Sequence, residues 1–297
     1  MSRIALIGSN GQLGSDIARV WPLHSPSRQG DELICLTHAD IEVTDAAQMR
    51  SVLSGIRPDL VINTAAYLRV DESEAEAMRA FLVNALAVRH LAECCRDLGT
   101  TLVHFSTDYV FDGESRRPYK EADPARPISA YGISKLAGEL FLRYVLPDNH
   151  ILVRSSGFYG VAGTSGKGGN FVESMLRFAR EGRPIRVVED QVSSPTYTVD
   201  LAGTLLDLIE RGGRGTFHIT NAGHCSWFEF ASRIFSLLAL RPDFAPTTRA
   251  EYGAIARRPA FSVLENSRLK EIGLAQPRPW QEALADYLRL KGHRLAA

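Results

Sequence analysis

The 297-residue chain carries 34 lysines and arginines against 34 aspartates and glutamates, a formal net charge of zero, and 45% of its residues are apolar. Balanced charge gives no electrostatic case for a nucleic-acid or anionic-membrane partner, and the length allows a sizeable core in one large domain or one plus a smaller second. The four cysteines (Cys35, Cys94, Cys95 and Cys225) lack metal-ligand spacing, no stretch reaches transmembrane length, and Met1–Gly8 reads as a strand rather than a leader, so a reduced, cytoplasmic protein without a metal centre is expected.

Arg3–Ile7 is a short apolar run of the kind that fills a buried parallel strand. It leads into Gly8-Ser9-Asn10-Gly11-Gln12-Leu13-Gly14 and a helical pattern through Val20. Strand, glycine turn and helix is the context in which glycines bind a dinucleotide. They permit the tight turn and let a pyrophosphate approach the positive helix N-terminus. The spacing here is G-x-x-G-x-x-G rather than G-x-G-x-x-G, and the turn is assigned to a cofactor through Gly8, Gly11 and Gly14.

After the polar loop His24–Asp31, Leu33–Leu36 is the second strand. An acidic residue at its end normally holds the ribose 2′-hydroxyl of NAD. Thr37 and His38 stand there instead, so a 2′-phosphate is not repelled; NADPH is favoured and NADH stays open. Glu42-Val43-Thr44-Asp45 leads into a helix to Gly55, capped by Thr44 or Asp45. Leu60–Asn63 is the third strand, ending in Thr64-Ala65-Ala66-Tyr67, where small residues let a cofactor lie close or simply pack tightly. Ser73–Leu98 reads as one long helix with Asn84 in apolar surroundings. Thr101–Ser106 is the next strand. Thr107 and Asp108 follow at its carboxyl end, where open α/β sheets bind ligands, although such a run also serves as a turn or cap.

Pro127–Glu139 (PISAYGISKLAGE) then places Tyr131 and Lys135 at positions i and i+4. On a helix these share a face, so the hydroxyl and the ammonium can address one point. An unperturbed tyrosine, with a pKa of about 10, is a sluggish acid at neutral pH. An adjacent ammonium favours its phenolate, so Lys135 is expected to lower the Tyr131 pKa and make it a proton donor. Among nine tyrosines such a pair also arises by chance, and its weight comes from its neighbours.

His150–Arg154 is a further strand, after which the alternation of strand and helix loosens. The glycine-rich loop Gly160–Gly169 precedes a helix at Asn170–Glu181, a strand at Ile185–Val188 and a loop at Asp190–Thr196. A helix at Val199–Ile209, a strand at Thr216–Ile219 and a helix to Leu238, opened by the capping box Ser226-x-x-Glu229, complete the pattern. The fold class expected is α/β, a doubly wound parallel Rossmann sheet. Residues 1–155 would bind NAD(P), and 156–297 would form mainly a smaller substrate-binding lobe interleaved with the sheet. A cleft between the two is the expected small-molecule site.

Taken together, Gly8–Gly14, Arg57-Pro58-Asp59, Asn63–Ala66, Ser106–Gly113, Tyr131–Glu139, Asn170-Phe171, Asp190-Gln191, Pro195-Thr196, Ser226-Trp227 and Arg258-Pro259 resemble the dTDP-4-dehydrorhamnose reductase group of the extended short-chain dehydrogenase/reductases, over nearly the whole chain. The resemblance implies catalytic roles for Thr107, Tyr131 and Lys135. It implies cofactor contacts at Gly11, Gln12, Leu13, Thr37, Glu42, Val43, Ala66, Tyr67, Tyr131 and Lys135, beside Gly8, Gly14 and Ala65 from the readings above. Thr107, Asp108, Tyr131, Gly157, Asn170 and Arg258 form the expected substrate side. The reaction implied is NADPH- or NADH-dependent reduction of a 4-keto nucleotide-linked 6-deoxyhexose.

Two departures concern that substrate. The group's tryptophan in Arg-Thr-Ser-Trp-Val-Tyr-Gly is Gly157 here, and the glycine after Asp-Gln-x is Ser193. The Gly160–Gly169 loop also looks longer than usual and is expected to close over the ligand. A 4,6-dehydratase of the same fold would carry Thr-Asp-Glu where this chain has Thr107-Asp108-Tyr109; an epimerase would retain NAD, and a non-catalytic regulatory subunit would use the fold to dock a partner. The resemblance leaves a homodimer open. A metal-bridged dimer is known in the group, but Pro277–Ala297 shows no acidic cluster to support one.

Overall fold

Six of the seven apolar runs read as strands assemble into one parallel sheet, and the seventh, Ile185–Val188, pairs with Phe244–Thr247 in a separate two-stranded sheet. A computed structural model describes residues 2–24, 30–162 and 169–296. Its first half contains β1 (Arg3–Ile7), α1 (Gln12–His24), β2 (Glu32–Leu36), α2 (Ala46–Ile56) and β3 (Leu60–Asn63). A segmented run follows, α3 (Glu72–Ala75), α4 (Ala77–Phe81) and α5 (Ala87–Leu98), then β4 (Thr101–Thr107), α6 (Ala130–Val145) and β5 (His150–Ser155). The second half contains β6 (Phe158–Tyr159), α7 (Phe171–Arg180), β7 (Ile185–Val188), β8 (Val192–Ser193), β9 (Thr196–Tyr197), α8 (Thr198–Glu210) and β10 (Gly215–His218). It closes with β11 (Cys225–Ser226), α9 (Trp227–Leu237), β12 (Phe244–Thr247), α10 (Arg249–Tyr252), α11 (Ser267–Glu271) and α12 (Trp280–Leu290).

The sheet order is β10-β5-β4-β3-β1-β2. From β1 the chain moves outward to β2, then returns to β3 on the other side, so the order reverses between β1 and β3. Ligands of doubly wound sheets lie in the crevice off the carboxyl ends of the strands at such a reversal. Alternate side chains of β1 enter opposite layers, as the strand period of two requires. Ile4 and Leu6 pack with Ile17 of α1 and Leu205 of α8, whereas Ala5 and Ile7 pack with Leu53 of α2 and Leu142 of α6. Both faces are therefore dry, and each fully buried leucine or isoleucine contributes about 1.5–3 kcal/mol. A third cluster, around Tyr159, Phe230, Trp280 and Tyr287, draws only on residues beyond 158.

The run read as one helix, Ser73–Leu98, is interrupted. The backbone breaks at Glu76 (φ −112°, ψ 46°), and Leu82–Leu86 forms a π-helical turn. Asn84 sits in that turn, 1% exposed, with its side chain committed elsewhere. Its Oδ1 accepts from the Tyr67 N–H (2.9 Å), and its Nδ2 donates to the Tyr67 carbonyl (3.0 Å) and to Ser134 Oγ (3.0 Å). Those bonds tie the loop after β3 to α6. The Asn84 carbonyl also meets α6 so closely that a Cβ at Gly138 would lie 2.1 Å from it. The loop read at Asp190–Thr196 holds the short strands β8 and β9, and β12, α10, α11 and α12 were not expected from pattern. Most of the Gly160–Gly169 loop, residues 163–168, and residues 25–29 of the His24–Asp31 loop lie outside the described residues.

Candidate active site

One cleft of about 780 Å³ gathers most of the residues singled out from the sequence. Gly8, Gly11, Gln12, Leu13, Thr37, Glu42, Val43, Ala65, Ala66, Tyr67, Thr107, Asp108, Tyr131, Lys135 and Gly157 all line it. Gly14, Asn170 and Arg258 do not.

At the glycine turn, the N–H groups of Gly8 and Ser9 donate to the Leu36 carbonyl (2.8 and 3.1 Å), which pins the turn to the end of β2. Gly8 is left-handed (φ +77°), and a Cβ there would lie 2.7 Å from Thr64 Oγ1. Gly14 serves packing: a Cβ there would lie 2.2 Å from the Gly8 carbonyl, so only glycine lets α1 sit on the turn. Gln12, at the start of α1, is buried with an Oε1 that has no hydrogen-bond partner. A tight turn, a helix N-terminus and an orphaned polar atom facing one crevice fit a dinucleotide.

The end of β2 differs from expectation. A carboxylate does stand there, supplied three residues later: Asp40 Oδ2 accepts from both the Thr37 N–H (2.8 Å) and Thr37 Oγ1 (2.7 Å). These bonds hold the Asp40 carboxyl below the usual carboxylate range. Glu42 is held low in the same way, by Thr44, and pairs with His38 (3.1 Å).

At the other end, Ser129 caps α6 by accepting from the Gly132 N–H (3.2 Å), which sets Tyr131 in the first turn and Lys135 one turn on. Thr107 Oγ1 lies at the carboxyl end of β4, donates to Asp108 Oδ1 (3.1 Å) and shares a hydrogen bond with Tyr131. Lys135 Nζ donates to the Phe105 carbonyl (2.7 Å). Burial lowers the Lys135 pKa to about 8, against an opposing pull from Glu139, so it remains mostly an ammonium at neutral pH. Burial pushes Tyr131 well up; the Thr107 bond resists, and Asp108 and Tyr109 push further up. The expectation that Lys135 lowers the Tyr131 pKa is therefore not met in this conformation, because the ammonium is turned to a backbone carbonyl and desolvation of the phenol dominates. Asp108 is raised to about 7 by burial, although Ser262 and Thr107 both donate to it.

Beside Ser193, which the sequence flagged, and Phe158, the neighbour of Gly157, the far wall comes from residues that sequence reasoning did not single out for it. Tyr109 stands edge-on to Tyr131 (centroids 6.0 Å apart, 83° between planes), and its hydroxyl accepts from Gln191 Nε2 (3.2 Å). Gln191, Ser193, Phe158 and Trp227 also line the cleft, and Trp227 packs on Phe171 with centroids 4.6 Å apart. Several of these lay inside matched motifs, the one signal that could have found them. Gly157 is left-handed (φ +57°), with Pro195 Cα 3.1 Å from where its Cβ would be. Asn170 caps α7 through the Glu173 N–H (3.1 Å) and donates to the Gly160 carbonyl and Tyr287 hydroxyl (both 3.0 Å). Arg258 forms a two-pronged pair with Asp71 (3.0 and 2.8 Å) behind Tyr109. Glu139, in the Tyr131 motif, is fully buried and receives Arg154 at 2.8 and 2.6 Å.

Residues 2–291 match the family model described as RmlD substrate binding domain. The chain is 39% identical to the dTDP-4-keto-6-deoxy-D-glucose reductase of Streptomyces niveus, covering 95% of each protein. It is also 39% identical to the dTDP-4-dehydrorhamnose reductase of Streptomyces griseus, covering 96% of this chain and 92% of that protein. Among solved structures, the dTDP-4-dehydrorhamnose reductase of Bacillus anthracis in complex with NADP superposes with a TM-score of 0.90 at 35% identity, covering 97% of this chain and 99% of that one.

Proposed function

The chain belongs to the RmlD substrate-binding-domain family, and from that premise we propose that it is an NADPH-dependent reductase of dTDP-4-dehydrorhamnose or a close dTDP-4-keto-6-deoxyhexose analogue. The observation that carries this reading is the shared cleft in which the glycine turn and the Thr107, Tyr131 and Lys135 side chains open onto one space. A bound nicotinamide supplies the hydride. Tyr131 gives its proton to the sugar's carbonyl oxygen as that carbon becomes an alcohol, and Thr107 orients the same oxygen by hydrogen bonding. Lys135, an ammonium at neutral pH, steadies the negative charge on Tyr131 once its proton has gone. Gln12 and the α1 N-terminus hold the pyrophosphate.

Residues 1–155 carry the cofactor and 156–297 mainly the sugar nucleotide, a division supported by the separate cluster beyond residue 158. Gly157 carries no ring and faces Pro195, and Trp227 and Phe158 supply the aromatic surface on that side of the cleft. Among the described residues no helix is long and apolar enough to cross a membrane.

The test is turnover of dTDP-4-dehydrorhamnose with each reduced nicotinamide, read as loss of its absorbance, with the product identified by mass. Rapid reduction supports the reading. No turnover together with NAD retained through purification would replace it with epimerisation, which runs on a resident cofactor.

A further inference from the structure

Two neighbouring arginines in the segment between α10 and α11 have opposite fates: Arg257 is exposed, and Arg258 is turned into the protein. Pro259 biases the residue before it toward extended backbone, in which successive side chains point to opposite sides. The backbone of this segment is fixed from several directions. The Val192 N–H donates to the Ala260 carbonyl (2.8 Å), the Ser262 N–H to the Val192 carbonyl (2.9 Å), and the Ala256 N–H to Asp71 Oδ1 (3.0 Å). Pro259 packs on Gly113, where a Cβ would lie 2.5 Å from the proline Cβ.

Arg258, so held, joins three segments that wall the cleft. Its two-pronged pair with Asp71 secures the end of the run that carries Leu68 and Val70. Its guanidinium lies against the Tyr109 hydroxyl, which Gln191 Nε2 also reaches (3.2 Å). Its carbonyl accepts from Arg249 Nη1 (3.1 Å), and Arg249 pairs with Asp190, the neighbour of Gln191 (3.3 Å). Leu68, Val70, Tyr109 and Gln191 line the cleft, and Arg258 itself is not among the described lining residues. Tyr109 in turn stands edge-on to Tyr131, the arrangement aromatic rings favour, and so limits the swing of that ring.

We propose that Arg258 is a positioning residue for the reduction: pinned by Asp71, it holds Tyr109 edge-on to Tyr131, so that the Tyr131 hydroxyl stays beside Thr107, where the sugar's carbonyl oxygen must lie. The inference rests on the reductase reading above and deepens it.

The test is the single-turnover rate of dTDP-4-dehydrorhamnose reduction at saturating substrate, with substrate KM and NADPH affinity measured alongside. The proteins are wild type, Tyr109→Phe, Arg258→Met and the double variant. Tyr109→Phe keeps the ring against Tyr131 and removes only the hydroxyl that Arg258 and Gln191 hold. Misplacing a reacting group by about 1 Å can cost about 10²-fold, so each single variant should slow the step by about ten- to a hundredfold. NADPH affinity and substrate KM should stay within about twofold, because the loss falls on the reacting geometry and not on binding. The double variant should be no slower than the slower single one, as expected of residues that act through one another. Losses that multiply in the double variant, or a normal rate in Tyr109→Phe, would overturn the proposal. A raised KM with an unchanged rate in Arg258→Met would also overturn it, since Arg258 would then bind the substrate directly. If wild type itself does not reduce the substrate, the reductase reading fails and the positioning role falls with it, a result distinct from the others.

Discussion

Asp108 offers a test of the cleft's electrostatics that needs no substrate. Its carboxyl is 4% exposed and titrates at about 7 when folded, because burial outweighs the hydrogen bonds from Ser262 and Thr107; an ordinary aspartate titrates at 3.8. Between those two values the folded protein holds a proton that the unfolded chain has lost. The native state thus binds more protons, and stability must fall as pH rises through that window and level off above about pH 7. Roughly three units at 1.36 kcal/mol each make the loss about 4 kcal/mol, a large share of a domain's stability. Asp108→Asn removes the titration. It disturbs a donor and so carries a baseline cost of about 1 kcal/mol, but its stability should be flat in pH relative to wild type. Denaturant unfolding of the cofactor-free protein between pH 4 and 8 reads both slopes. If the two proteins lose stability in parallel over that range, Asp108 is already ionised in the fold and the account of its burial is wrong.

Tyr131→Phe should lower turnover by about 10²–10⁴-fold while cofactor binding stays within a small factor, since it removes one proton donor and almost no volume; near-normal turnover would end its assignment as the acid. Glu139→Gln should destabilise by about 3–5 kcal/mol, measured by denaturant unfolding, because Arg154 is left buried without its counter-charge; a cost under about 1 kcal/mol would mean that the pair is solvated. Restoring the family's indole with Gly157→Trp should lower the melting temperature and leave the rate no higher. A left-handed backbone strains any side chain, and Pro195 crowds the Cβ. A stable, faster variant would show that the missing ring limits the reaction.

What the sequence alone determined is what local pattern encodes. Strand, glycine turn and helix at Arg3–Val20, the short apolar strands, the capping box at Ser226 and the Tyr131–Lys135 spacing depend on neighbours within a turn or a strand, so they were readable in order. The π-turn at Asn84 was not, because it follows from bonds to Tyr67, 17 residues away, and Ser134, 50 residues away, which leave no periodic trace. Nor was the far wall of the cleft, where Gln191 reaches Tyr109 across 82 positions and Ser262 reaches Asp108 across 154. Asp40 was visible as a residue but not as the acid at the end of β2, since a turn of three residues had to fold it back onto Thr37. The ionisation of Tyr131, Lys135 and Asp108 also depended on the tertiary structure. Sequence names the groups and their order, but the water removed from around each one, which dominates its pKa, is known only when the whole chain has closed over it.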